Sequence, residues 1–294
     1  MFLNSVFLND IGEKILKFFN PQLKYENRIT KKWFLMSPSH FFIVFFSYFI
    51  FIIVAYLHKL KYNTKRKQIF DKQTNKNKNA SIPSKKDNSY FQNFLSKIIP
   101  IYNLIQVFCS FYITLFTLYE AKNRNFSLVY NPSDYTQDSI AFYSWLFYIN
   151  KMCDFFDTIL IVLRSKWNQF TFLHVYHHLS VFFIMWVNTS VGYDGDIYYV
   201  ISINSFVHFI MYFYYFFTSL KIKVPIYLKT TVTYIQMIQF LSILLPCLFV
   251  LFFNFICEYP IRLVALSFCY CISLLILFIN FSIQTYIFQK NKID

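Results

Sequence analysis

Apolar runs of roughly 20 residues, long enough to cross the hydrocarbon core of a bilayer, recur along most of this chain. Seven spans are predicted, at 40–57, 98–119, 140–163, 170–191, 197–218, 227–253 and 262–288. Ahead of the first, Phe7, Ile11, Ile15 and Phe18 recur at helical spacing, which predicts an interfacial helix. Between the first two spans, 58–97 is rich in Lys, Asn and Ser and reads as a flexible, solvated loop. The chain thus divides into an N-terminal segment 1–39, a first transmembrane helix 40–57, a basic loop 58–97, a six-helix unit 98–288 and a tail 289–294.

The polar positions inside these runs are not scattered. Lys151, Asp154, Asp157 and Thr158 share about 120° of arc on the third span. A Lys or Asp at a helix centre costs about 2.5–3.5 kcal/mol against lipid, so these groups must face protein or a wet cavity. His174, His177 and His178 share one face of the fourth span. Asn204, His208, Met211 and Tyr215 form a stripe on the fifth, flanked by Tyr212 and Tyr214. Thr233, Gln236 and Gln239 lie on one side of the sixth. Taken singly, Thr, Asn and Gln in membrane helices serve as helix–helix glue more often than as chemistry.

Composition agrees with a polytopic all-α membrane protein: 56% of residues are hydrophobic, 23% aromatic, and only 3 of 294 are Gly. No Rossmann-type glycine pattern is present. The six cysteines lack metal or redox spacing and read as small hydrophobes. Asp10 and Glu13 interrupt the first apolar stretch, so no cleavable signal peptide is read there.

The net charge of +14 is mostly membrane-proximal and calls for no nucleic acid. If 58–97 is cytosolic, that side holds 17 Lys and Arg and the three opposite loops hold two, Lys122 and Arg124. The positive-inside rule then places the N-terminus outside the cytosol and the C-terminus within it. The six basic residues of 1–39 argue the other way and are outvoted. In this orientation Asp157 lies about 10 Å, His177 about 12 Å and His208 about 15 Å from the cytosolic ends of their helices. Gln236 lies at a similar depth. Four antiparallel helices bring their polar faces to one level, which predicts a site.

Imidazole can ligate metal, relay protons or accept an acyl group. The HxxHH spacing of "HVYHH" admits a metal-dependent desaturase or hydroxylase, although only His174, His177, His178 and His208 have the right depth. Acyl transfer fits better: a neutral imidazole attacks a thioester or acts as base, with Asp154 or Asp157 orienting it. A receptor or transporter is a third reading, disfavoured by the cytosolic depth and by Pro246 being the lone proline deep in a span from the third onward.

At these residues the chain resembles the ELO family of very-long-chain fatty acid elongases. Four boxes occur in order: "KMCDFFDT" for KxxExxDT, "HVYHH" for HxxHH, "NSFVHFIMYFYY" for NxxxHxxMYxYY and "TYIQMIQF" for TxxQxxQF. Asp154 departs from the family's usual glutamate. The resemblance implies seven helices, spans two to seven enclosing an acyl tunnel, in the endoplasmic reticulum membrane. The implied activity is that of a 3-oxoacyl-CoA synthase: acyl-CoA and malonyl-CoA give 3-oxoacyl-CoA, CO2 and CoA, with no cofactor. A ketoreductase, a dehydratase and an enoyl reductase would complete the cycle. On this resemblance His177 accepts the acyl group or acts as base beside His208. Asn204, Gln236 and Tyr212 would stabilise an enolate oxygen, His174 and Asp157 would orient the imidazoles, and Lys151 would hold the CoA end. His178, Asp154, Tyr215, Gln239 and Thr233 complete the expected site. "KNKID" looks like a retrieval signal, and both a monomer and a homo-oligomer remain open.

Overall fold

The computed structural model describes residues 2–24, 27–75, 89–253 and 257–287. Among them every regular element is helical: α1 (Phe2–Phe19), a 3-10 turn (Ile29–Lys32), α2 (Pro38–Asn75), α3 (Ser89–Asn123), α4 (Ser139–Cys153) and α5 (Phe155–Leu163). These are followed by α6 (Phe172–Val191), α7 (Ile197–Ser219), α8 (Ile226–Phe252) and α9 (Ile261–Ser282), which runs into a π-helical turn at Ile283–Ile287. The protein is an all-α, multi-pass membrane protein. Five helical stretches are long and apolar enough to cross a bilayer: Pro38–Lys65, Tyr90–Asn123, Ile197–Ser219, Ile226–Phe252 and Ile261–Tyr286.

Seven were expected, and the difference has a local cause. The third expected span is two helices of 15 and 9 residues, separated at Asp154. There the Asp157 amide bonds the Asp154 carbonyl, a three-residue closure in place of the four-residue one of an α-helix. The fourth, α6, has 20 residues but carries three histidines. The loop expected at 58–97 is also shorter than its composition suggested. α2 continues to Asn75 and α3 begins at Ser89, so only 76–88 lies outside the described residues. The tail "KNKID" lies outside them too.

Neighbouring helices close a ring, α3–α7–α8–α9–α6–α4, with α4 also touching α7. α2 lies outside it, packed on α1 and α6. Phe41 stacks on Trp186 at 4.2 Å and Tyr48 on Phe155 at 3.7 Å, fixing α2 to α6 and α5. The helix expected ahead of the first span is present as α1, and it is bound to the bundle. Leu16 and Gly12 face inward while Phe7 and Phe18 are exposed. Asn20 donates to the Val191 carbonyl at 2.7 Å and Thr30 to that of Thr189 at 2.9 Å, tying the N-terminal segment to the end of α6.

That end of the bundle is held by two carboxylates, one of them buried. Asp194 is fully buried, pairs with Arg124, and accepts the Asp134 amide at 2.6 Å. Asp196 accepts the amides of Tyr130 and Asn131 at 2.8 and 2.7 Å. Gly192 is required here, because an added Cβ would lie 2.3 Å from Leu263 Cδ1 and 2.6 Å from the Tyr259 hydroxyl. At the opposite end α5 and α7 stop in αL caps made without glycine, Ser165 at φ 55° and Lys221 at φ 61°. In the first, the Ser165 and Lys166 amides return to the Val162 and Ile161 carbonyls, a Schellman motif.

Candidate active site

A cavity of about 780 Å³ opens between α5, α6, α7 and α8. Its inner wall carries His174, His177, His178, Asn204, His208, Tyr212, Tyr215, Thr233, Gln236, Gln239 and Asp157. Its outer wall carries Arg164, Lys166, Lys221 and Lys229. The expected polar level and the basic residues that follow α5 and α7 therefore belong to one space. Phe240, Phe278 and Phe281 line it as well, giving the polar cleft an apolar margin.

The turn before α6 sets the histidines. The Thr171 hydroxyl accepts the His174 amide at 3.2 Å, a side-chain N-cap that starts the helix. One α-helical face then presents His174, His177 and His178 together. The His174 and His178 rings are 4.4 Å apart, and those of His177 and His178 are 5.3 Å apart. His208 arrives from α7, its ring 6.3 Å from that of His177.

Asp154 Oδ2 lies 3.8 Å from His208 Nδ1, and His174 has a partner of another kind. His174 Nε2 meets Thr158 Oγ1 at 2.8 Å, and Thr158 in turn meets the Tyr48 hydroxyl at 2.6 Å. A chain of contacts, Tyr48–Thr158–His174, thus holds the first histidine of α6. The Tyr212 hydroxyl lies 2.6 Å from Asp157 Oδ2 and 3.0 Å from Asp154 Oδ1.

Lys151 does not reach the cavity wall. It is fully buried, 3.1 Å from Asp154 Oδ2 and 3.3 Å from each ring nitrogen of His208. Equal distances to both nitrogens put the ammonium over the imidazole face rather than in its plane, and Phe147 lies beneath it at 4.6 Å. The cations that do line the cavity are Arg164, Lys166, Lys221 and Lys229. The break at Asp154 explains the geometry: where α4 gives way to α5, Lys151 and Asp154 turn inward to pair while Asp157 stays at the cavity surface.

Asn204 Oδ1 and His178 Nδ1 are buried and have no hydrogen-bond partner, so the cavity wall holds polar atoms available to a ligand. Gln236 Nε2 lies 3.6 Å from the Met211 sulfur, and Thr233 Oγ1 lies 3.1 Å from the Tyr286 hydroxyl. Three members of the site were missed in the sequence. Lys229 was legible, since 229, 233, 236 and 240 form one helical stripe. Tyr48 and Tyr102, whose ring lies 6.2 Å from that of Tyr212 and whose hydroxyl donates to the Cys153 carbonyl at 3.4 Å, were not, being two tyrosines among 24. No three His, Cys, Asp or Glu side chains among the described residues converge as metal ligands.

Fold and site together define a multi-pass membrane protein with a buried His–Asp–Tyr centre beneath a cationic mouth. The chain belongs to the ELO: GNS1/SUR4 family, whose model matches residues 33–294. It is 32% identical over 207 residues to human very long chain fatty acid elongase 4, covering 68% of this chain and 65% of that one. It is 32% identical over 207 residues to mouse very long chain fatty acid elongase 2, covering 68% and 70%. Against fatty acid elongase 5 of Trypanosoma cruzi it is 33% identical over 189 residues, covering 64% and 71%. The matched region thus spans about two thirds of the length of these curated relatives.

Proposed function

We propose that this protein is a fatty acid elongase that condenses a long-chain acyl-CoA with malonyl-CoA to 3-oxoacyl-CoA, CO2 and CoA. The observation that carries this reading is the single cavity joining four histidines to four cations. A CoA thioester needs both: a nucleophile for its carbonyl and positive charge for its phosphates. The relatives named above are elongases, which supports the same reading.

In this reading the CoA phosphates rest against Arg164, Lys166, Lys221 and Lys229. The acyl chain lies among the apolar side chains between α7, α8 and α9, within an acyl tunnel enclosed by the helix ring. His177, which lines the cavity, attacks the thioester carbonyl as a neutral imidazole, or acts as base on the incoming substrate. His208 sits beside it, with the Lys151–Asp154 pair fixing the field behind its ring. Loss of CO2 from malonyl-CoA leaves an enolate, whose oxygen is met by the amides of Asn204 and Gln236. The alternative, a metal-dependent desaturase or hydroxylase, gains no support from the spacing of the His and Asp side chains.

The reading extends to the setting of the protein. It places the chain in the endoplasmic reticulum membrane with seven crossings, the mouth and C-terminus in the cytosol, working with separate reducing and dehydrating enzymes.

The test is decarboxylation. Purified protein given malonyl-CoA labelled in its free carboxyl should release labelled CO2 only when a long-chain acyl-CoA is also supplied. Release independent of acyl-CoA, or none from folded protein, would overturn the reading.

A further inference from the structure

The two aspartates at the site raise a question of proton count. The Tyr212 hydroxyl lies 2.6 Å from Asp157 Oδ2 and 3.0 Å from Asp154 Oδ1. A phenol has one proton to donate and a carboxylate has none. Both contacts are full hydrogen bonds only if one carboxyl carries a proton and gives it to the phenolic oxygen. Lys151 decides which. Its ammonium is 3.1 Å from Asp154 Oδ2, so Asp154 keeps its charge. Asp157 joins no ion pair among the described residues. Two carboxylates sharing one hydroxyl, with one cation between them, resist double ionisation.

We propose that Asp157 is a neutral carboxylic acid in the resting protein, donating to Tyr212, which donates to Asp154, and that Asp157 protonates the departing CoA sulfur. Position supports the second half. Asp157 lies on the cavity wall, whereas Asp154 is fully buried behind it. The groups facing Asp157 are Tyr48 of α2, Tyr102 of α3, Lys151 and Asp154 at the end of α4, and Tyr212 and Tyr215 of α7. His177 and His208 share its cavity. Of these, Lys151 is committed to Asp154, and the single Tyr212 hydroxyl shared by two carboxyls bonds both fully only when one of them donates to it.

The step rests on the condensation reading and balances within it. The acyl carbon–sulfur bond breaks as the carbonyl carbon passes to His177, and the electron pair leaves on sulfur. Sulfur takes the Asp157 proton to give the CoA thiol, and Asp157 regains a proton from water at the cavity mouth. One proton is consumed per turnover, matching the loss of the malonyl carboxylate as CO2.

Infrared difference spectroscopy of wild type against Asp157→Asn, at neutral pH in bilayers, tests the resting proton. The expected difference is the C=O stretch of a protonated carboxylic acid, shifted down in D2O. Only carboxylate bands in that difference would overturn the proposal. Should Asp157→Asn fail to fold, Tyr212→Phe serves: the acid band should persist and move up as its hydrogen bond is lost, and absence of any such band would contradict us. A kinetic arm tests the transfer. Wild-type kcat should fall as pH rises, and Asp157→Asn should lower kcat and remove that alkaline limb with KM for malonyl-CoA little changed. An Asp157→Asn enzyme keeping the wild-type kcat and its pH profile would refute the acid role. A wild type that makes no product would overturn the condensing reading, while the infrared band still decides where the proton sits.

Discussion

Lys151 shows how much one side chain's direction matters. It was legible as an inward-facing charge, but not as a group sealed behind the histidines, because helical periodicity gives a face and not a depth within the bundle. Its i, i+3 spacing to Asp154 was the available hint. Removing one partner of a buried ion pair costs about 3–5 kcal/mol, because the other charge is left uncompensated. Lys151→Met should therefore lower the thermal midpoint sharply in detergent, and Lys151→Met with Asp154→Leu should recover part of the loss. An unchanged midpoint in the single variant would mean that the pair is not sealed. Thr158 is a milder case. Thr158→Val removes the group linking Tyr48 to His174 and should cost about 1 kcal/mol of stability. Turnover should suffer more than stability, read by comparing product formation with the thermal midpoint.

At the scale of elements, most of the helices could be read from hydropathy, and the errors have physical reasons. The run at 140–163 carries Lys151, Asp154 and Asp157 on one helical face, and that periodicity continues through Asp154, so nothing in the pattern marks a break there. At the break Asp154 pairs locally with Lys151 and across the bundle with the Tyr212 hydroxyl. The loop at 58–97 was overestimated because hydropathy reports where the bilayer ends, not where the helix ends. Lys, Arg and Gln are good helix formers and carry α2 on to Asn75. Helix ends also hold two predictions of opposite sign. Gly192→Ala should destabilise by about 1–3 kcal/mol, since its Cβ must displace Leu263 and Tyr259 where α6 meets α9. Ser165→Gly should raise the thermal midpoint slightly, relieving an αL residue worth about 1 kcal/mol. A midpoint unmoved by the first, or lowered by the second, would contradict the cap geometry.

For the molecule as a whole, the sequence showed four polar faces at one level, and the structure gathers them around one cavity. Side-chain partners within that cavity were not legible, since they depend on which helices become neighbours. Orientation follows from the same layout. Asn125, in "NFS", is exposed on the segment after α3, at the end away from the mouth, whereas Asn79, in "NAS", lies between α2 and α3. With the mouth facing the cytosol, a glycosylation assay in microsomes should modify Asn125 alone, and modification of Asn79 would invert the protein. The central claim concerns chemistry, and one assay meets it directly. Membranes carrying wild type or His177→Ala, at equal expression, would receive labelled malonyl-CoA and acyl-CoAs of increasing length. We expect labelled 3-oxoacyl product from the wild type over a limited range of lengths and none from His177→Ala. Full product from His177→Ala, or none from folded wild type at any length, would contradict the account.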